Sequence, residues 1–123
     1  MRVGSIAIGR SGDKGSTLDL TLVAMDAEGY RHLEQALTAG AAQRALVRVM
    51  PTVGPGRVRR YEVPGLNALK YVVADALPGG VYATLHAGLH WQKAAIWILL
   101  DMDLGPLLAA DGNAGAMATK AAP

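Results

Sequence analysis

A short run near the start of the chain, Gly9-Arg10-Ser11-Gly12-Asp13-Lys14-Gly15, gathers most of the groups that could do chemistry. Glycine at every third position permits backbone turns with positive φ and leaves N–H groups free to approach an anion. Arg10 and Lys14 add positive charge, Ser11 adds a hydroxyl, and Asp13 could orient either cation or act as a base. The chemistry such a set offers is capture of an anion. Asp13 and Lys14 are the candidate catalytic residues, and Arg10, Ser11, Gly12 and Gly15 the candidate binding residues. The spacing is neither that of a Walker loop nor that of the Gly-x-Gly-x-x-Gly dinucleotide fingerprint. The same residues would also serve a tight hairpin whose Asp–Lys pair is an exposed salt bridge of little value. Spacing alone leaves both readings open.

Other polar residues are less telling. Asn67, after Pro64-Gly65, reads as a helix N-cap or as a polar group pointed into a cleft. Glu62 sits on an alternating segment and reads as solvated. His86 and His90 have a spacing that can hold zinc on a helix, but Gly88 lies between them and no third ligand is visible, so no metal is expected. Arg57, Arg59 and Arg60, with Arg44 and Arg48 upstream, read as a solvated basic face or as a guide for an acidic ligand such as the phosphates of coenzyme A.

The elements that must position these groups follow from periodicity. Val3, Ile6 and Ile8 begin a first strand that ends in the glycine run, and Leu18, Leu20 and Leu22 alternate as a second. Asp26 is placed to cap a helix from Ala27, with Tyr30, Leu33, Ala36 and Leu37 on its apolar side. Gly40 weakens or ends it, and residues 41–49 add a helical turn or two. Residues 57–63 alternate as a third strand. Pro64-Gly65 then turns the chain into a helix carrying Leu66, Leu69, Tyr71, Val72, Val73 and Leu77, which Pro78-Gly79-Gly80 stops. Residues 81–86 are a fourth strand candidate. Residues 89–104 read as a final helix, with Trp91, Ala94, Ala95, Ile98 and Met102 on one stripe and Trp97, Leu100 and Leu104 on another. One stripe can pack on a sheet, and the other would seat a second copy or a partner around Trp97.

The order β–β–α–β–α–β–α fits an α+β ferredoxin-like sandwich, a four-stranded sheet with helices on one face, crossed by two sequential βαβ-like connections. Its expected core is Val3, Ile6, Ile8, Leu20, Leu22, Leu33, Leu37, Leu69, Val72 and Val73. Residues 1–104 read as one domain and 105–123 as an alanine- and glycine-rich tail. A chain of 123 residues, 51% of them hydrophobic, has room for one core. With no cysteine, thiol nucleophiles, disulfides and iron–sulfur clusters are excluded. The start lacks the apolar segment of a signal peptide, and the longest apolar run is too short for a bilayer. Cytoplasm is therefore the expected location. A net charge of +2 gives little reason to expect nucleic acid or membrane as partner.

Three segments together carry a family resemblance: Arg10-Ser11-Gly12-Asp13-Lys14-Gly15, Tyr61-Glu62-Val63-Pro64-Gly65-Leu66-Asn67-Ala68-Leu69, and Ala76-Leu77-Pro78-Gly79-Gly80 followed by Thr84-Leu85. Across residues 3–104 the chain resembles the ferredoxin-fold domain of the AtuA-like family, named for a bacterial protein of acyclic terpene utilisation. The resemblance implies a small subunit or detached domain of an acyl-CoA-processing enzyme, of hydratase or lyase type, in terpenoid or branched-chain acid catabolism. It implies a larger AtuA-type subunit or a homo-oligomer as partner, an acyl-CoA ligand and no cofactor. Asp13 and Lys14 would then be catalytic, and Arg10, Ser11, Gly12, Gly15 and Asn67 would bind substrate at one shared site. The alternative is a non-catalytic assembly module for the larger subunit. The chain departs from the family at Ser16, Asp19 and Lys70, where asparagine is usual, and at His86, in the place of an arginine.

Overall fold

The computed structural model describes residues 1–14, 16–74, 76 and 91–108. Two antiparallel hairpins make the sheet. Strand β1 (Ala7–Lys14) pairs with β2 (Thr17–Ala24), and β3 (Val58–Val63) pairs with β4 (Ala68–Val73). Strands β2 and β4 join the hairpins, giving the order β1-β2-β4-β3. Between the hairpins run α1 (Ala27–Ala36) and α2 (Ala39–Leu46), and α3 (Trp91–Leu100) follows later. Helix α1 lies against β2 and β4, α2 against β3, and α3 against β1 and β2. All pack on one side of a four-stranded sheet, the expected α+β ferredoxin-like class.

Local chemistry explains the helix boundaries. The Asp26 carboxylate accepts the Gly29 N–H at 2.7 Å and starts α1. Thr38 accepts the Ala41 N–H at 3.1 Å and starts α2. The break between the helices therefore falls at Leu37–Thr38, and Gly40 lies inside α2 rather than ending α1.

The helix expected over residues 66–77 is not there. Pro64–Leu66 form one 3-10 turn, Asn67 takes the left-handed conformation (φ 53°), and the chain returns as β4. Asn67 is thus not a helix N-cap but the hinge of a tight turn, a conformation asparagine adopts with less strain than most residues. The two expected βαβ-like crossings reduce, among the described residues, to one. It runs from β2 through α1 and α2 to β3, parallel strands with β4 between them. The strand expected at residues 81–86, the stop at 78–80, and His86 and His90 lie outside the described residues.

The core sits between the sheet and the helices. Leu18, Leu20 and Leu22 of β2, and Leu69, Tyr71 and Val73 of β4, are buried with Leu33, Leu37, Leu46 and Leu99. Two expected core residues fall outside it. Strand parity turns Ala7 inward and Ile8 outward, leaving Ile8 60% exposed. In a strand, 69, 71 and 73 share a face, so Val72 lies opposite and is only half-buried. Helix α3 buries Ala95, Ile96 and Leu99 and leaves Trp97 68% exposed. Ile96 and Leu99 belong to neither expected stripe, while Ala95, Ile98 and Met102 of the first are buried or packed against the core. Residues 104–108 continue as a helical turn, with Leu104 buried and Leu107 and Leu108 packed partly on the core. No helix among the described residues is long and apolar enough to cross a membrane.

The chain start is clamped to the segment after α3. Val3 N–H donates to the Met102 carbonyl, Leu104 N–H to the Met1 carbonyl, and Arg2 Nη1 to Asp101 Oδ1 at 2.6 Å. Asp103 accepts from the Gly105 N–H and from the Met1 ammonium, and these donors, in that order, hold its carboxyl below the usual value. A carboxyl with a lowered folded pKa stabilises fully above its ordinary value, and the contribution is lost as pH falls through the lowered one. The Asp103 carboxyl carbon should therefore titrate below 3.8 in an NMR pH series. An inflection at or above that value would show that the clamp does not hold in solution.

Candidate functional site

Residues Arg10 to Lys14 form a strand, not a glycine loop. In an extended strand successive N–H groups point to opposite sides, so this backbone does not form an anion cradle. The glycines also have different reasons to be there. Among the described residues only Gly56 has positive φ for a glycine. A Cβ on Gly9 would stand 2.6 Å from Ile96 Cγ1, so Gly9 is required by the close approach of α3. A Cβ on Gly12 would meet nothing within 4 Å. The side chains of Asp13 and Lys14, and all of Gly15, lie outside the described residues.

Asn67 does not join this segment. Lys14 pairs with Thr17 at one end of β2, whereas the Ala24 N–H at the other end donates to the Asn67 carbonyl. At about 3.3 Å per residue, the distance along the strand is about 23 Å. A single small ligand does not bridge that span, and the expected shared site of Lys14 and Asn67 is not formed.

What the structure does bring together lies on the face of the sheet that carries no helix among the described residues. Register places Arg10, Thr21, Lys70 and Tyr61 in one row across all four strands. The next row toward the β1–β2 turn is Gly12, Asp19, Val72 and Arg59. On the other side lies an apolar row: Ile8, Val23, Ala68 and Val63. Ile8, Tyr61 and Val63 are exposed, as are Met25 and Leu66 at the same end of the sheet. Ser11, one residue from Arg10, has opposite parity and is half-buried on the α3 side. There it helps line a groove of about 690 Å³ between the β1 edge and α3, whose other walls include Ile8, Arg10, Ile96, Trp97 and Leu100.

Charge on this sheet face is unevenly satisfied. Lys70 Nζ meets Asp19 Oδ2 at 3.0 Å. Asp19 Oδ1 is buried without a hydrogen-bond partner among the described residues. Arg10 and Arg59 are exposed and have no carboxylate partner among the described residues. The face can therefore hold an anionic group beside an apolar surface. Lys70, Asp19 and Tyr61 were not among the expected site residues. The alternation of residues 17–23 already set Asp19 and Thr21 on one face, but Lys70 and Tyr61 join them only once residues 68–73 are a strand.

The supposed basic cluster separates by the same parity. Arg59 stands on the open face, while the Arg60 side chain is only 7% exposed among the helices. Its Nη1 donates to the Glu34 and Leu37 carbonyls at the end of α1, and its Nη2 to Glu62 Oε2 at 2.8 Å. Glu62 is thereby an ion-pair partner, not simply a solvated carboxylate. Among the described residues no group of three His, Asp or Glu is placed to hold a metal.

Over residues 1–104 the chain matches the family model of the AtuA ferredoxin-like domain. No curated protein and no solved structure matches it.

Proposed function

The chain belongs to the AtuA ferredoxin-like domain family, and from that premise we propose that it is the assembly-forming small subunit, or detached domain, of an acyl-CoA-processing enzyme of terpenoid or branched-chain acid catabolism. The sheet face opposite α1, α2 and α3 docks on a larger AtuA-type subunit. One observation carries this reading: Ile8, Val23, Ala68 and Val63 cross all four strands as an apolar row on the face that carries no helix among the described residues. Antiparallel sheets commonly leave one face to water, but that face is then polar along its strands. Exposed Ile8, Met25, Tyr61, Val63 and Leu66 make this one an apolar patch with a charged border, the usual form of an interface. Arg10, in the adjoining row, is positioned to hold the anionic part of a substrate at the boundary with the partner.

Catalysis by Asp13 and Lys14 remains part of the proposal in a second reading, where the β1–β2 end contributes to the partner's active site. The strand conformation of Arg10–Lys14 favours the assembly role, because a strand offers a pairing and packing surface and not a cradle of N–H groups.

The test is co-purification with a larger AtuA-type subunit, followed by acyl-CoA hydration and hydrolysis assays. Ile8→Lys and Val63→Lys are exposed and should leave the fold intact, yet weaken association at least about tenfold. Arg10→Gln should lower activity of the assembled pair with association retained. Lys14→Ala separates the readings: lost turnover in an intact complex favours catalysis, and unchanged turnover favours pure assembly. Wild-type association that survives both lysine variants would overturn the docking face.

A further inference from the structure

A second groove, on the opposite side of the molecule from the open sheet face, lies between α2 and α3. Its volume is about 850 Å³, within the range of pockets for small organic ligands. Its walls include Ala41, Ala45, Ile98, Met102, Leu107 and the Trp97 indole. Two small alanines on α2 leave room for a chain to lie between the helices, and the exposed indole forms one flank. Arg44, in the last turn of α2, and Arg48, in the turn that follows the helix, both line the groove. Both are exposed, and neither has a carboxylate partner among the described residues.

Two acids also line the groove, but both are engaged. Asp101 takes Arg2 at 2.6 Å, and Asp103 takes the Met1 ammonium at 3.1 Å. The charge left for a ligand is therefore that of two arginines, beside an apolar trough. We propose that this groove binds an anionic amphiphile of low molecular weight, an aliphatic chain in the trough with its carboxylate or phosphate head on Arg44 and Arg48. Two guanidinium groups lining one groove suit an oxyanion with several acceptors, since each can donate to a different oxygen. A cation, or an uncharged chain, would gain nothing from them. The sequence pattern assigns Trp97 to a protein interface; the groove gives the same indole a ligand to cover. The inference rests on this groove alone and holds whether or not the sheet face docks on a partner.

Octanoate, octyl phosphate, 1-octanol and inorganic phosphate, each titrated into the full chain, are the probes. Heteronuclear NMR locates the site, and calorimetry gives affinity. Octanoate or octyl phosphate should bind with shifts at Ala41, Ala45, Ile98 and Leu107, at least about tenfold more tightly than octanol. Preference between the two anions identifies the head group as carboxylate or phosphate. The double variant Arg44→Gln, Arg48→Gln should abolish that advantage while octanol binding persists. Ala45→Phe, which fills the trough, should weaken both anionic amphiphiles, and the amide spectrum reports whether each variant remains folded. Inorganic phosphate binding as well as octyl phosphate would overturn the trough. So would equal affinity for octanol and octanoate, or shifts centred on Gly9 and Ser11.

Discussion

Gly9→Ala is expected to destabilise the domain by about 1–3 kcal/mol, while Gly12→Ala, three residues along the same strand, changes stability by less than about 0.5 kcal/mol. The contrast follows from what each new methyl group meets. At Gly9 it would stand 2.6 Å from Ile96 Cγ1, 2.9 Å from Ile96 Cδ1 and 3.3 Å from Leu100 Cδ1. Ile96 is buried, so it yields only by leaving its rotamer or by carrying α3 away from the sheet. At Gly12 the methyl points into open space, on backbone that needs no positive φ. Thermal unfolding followed by circular dichroism distinguishes the pair, with a fall in Tm on the order of 10 °C for Gly9→Ala alone. Equal losses at both positions would mean that the run acts as a glycine loop after all, and that α3 does not rest on β1.

The same two glycines show what could be read from the sequence and what could not. Period-two spacing of Leu18, Leu20 and Leu22 identified β2 correctly, and the spacing of Tyr30, Leu33 and Ala36 with Asp26 ahead identified α1. These segments each match one period and carry their own boundary signals. In β1, by contrast, glycine and charge resemble turn chemistry, and only the contact with Ile96 reveals a packing requirement. A distant segment supplies that reason, and local spacing cannot show it.

Residues 68–73 are a strand and not the expected helix for a different cause. Leu66, Leu69, Tyr71, Val72, Val73 and Leu77 were read as a helical face, while Leu69, Tyr71 and Val73 fit a strand equally well. The β-branched and aromatic run Tyr71-Val72-Val73 was the discriminating signal, and pairing with both β2 and β3 decides the outcome. That one difference moved Asn67 from a helix start to a turn and brought Lys70 onto the open face. The same strand brings Lys70 to Asp19 as an ion pair across β2 and β4. As a diagonal cross-strand pair they compensate one another.

Removing Arg60 should be among the costliest changes to this domain, because its charge serves the end of α1 and not the surface. Its guanidinium donates to the Glu34 carbonyl at 2.7 Å and to the Leu37 carbonyl at 3.1 Å. Tyr71 Oη donates to the same Leu37 carbonyl at 2.6 Å. Burial, the largest influence, holds the Tyr71 phenol above its ordinary value, so it remains a neutral donor at neutral pH. That contribution is fully present below about pH 10 and is lost only as pH rises through the higher folded value. Arg60→Met keeps the buried stem but strips both carbonyls of its donor, at an expected cost of about 2–4 kcal/mol in urea unfolding. Tyr71→Phe should cost about 1–2 kcal/mol, since Leu37 still has Arg60. With both changes the Leu37 carbonyl loses both side-chain donors, so the double variant should lose more than the sum, by at least about 0.5 kcal/mol. Simple additivity would mean that water or backbone movement satisfies Leu37 once either donor is gone, and that Arg60 acts through its ion pair with Glu62 instead.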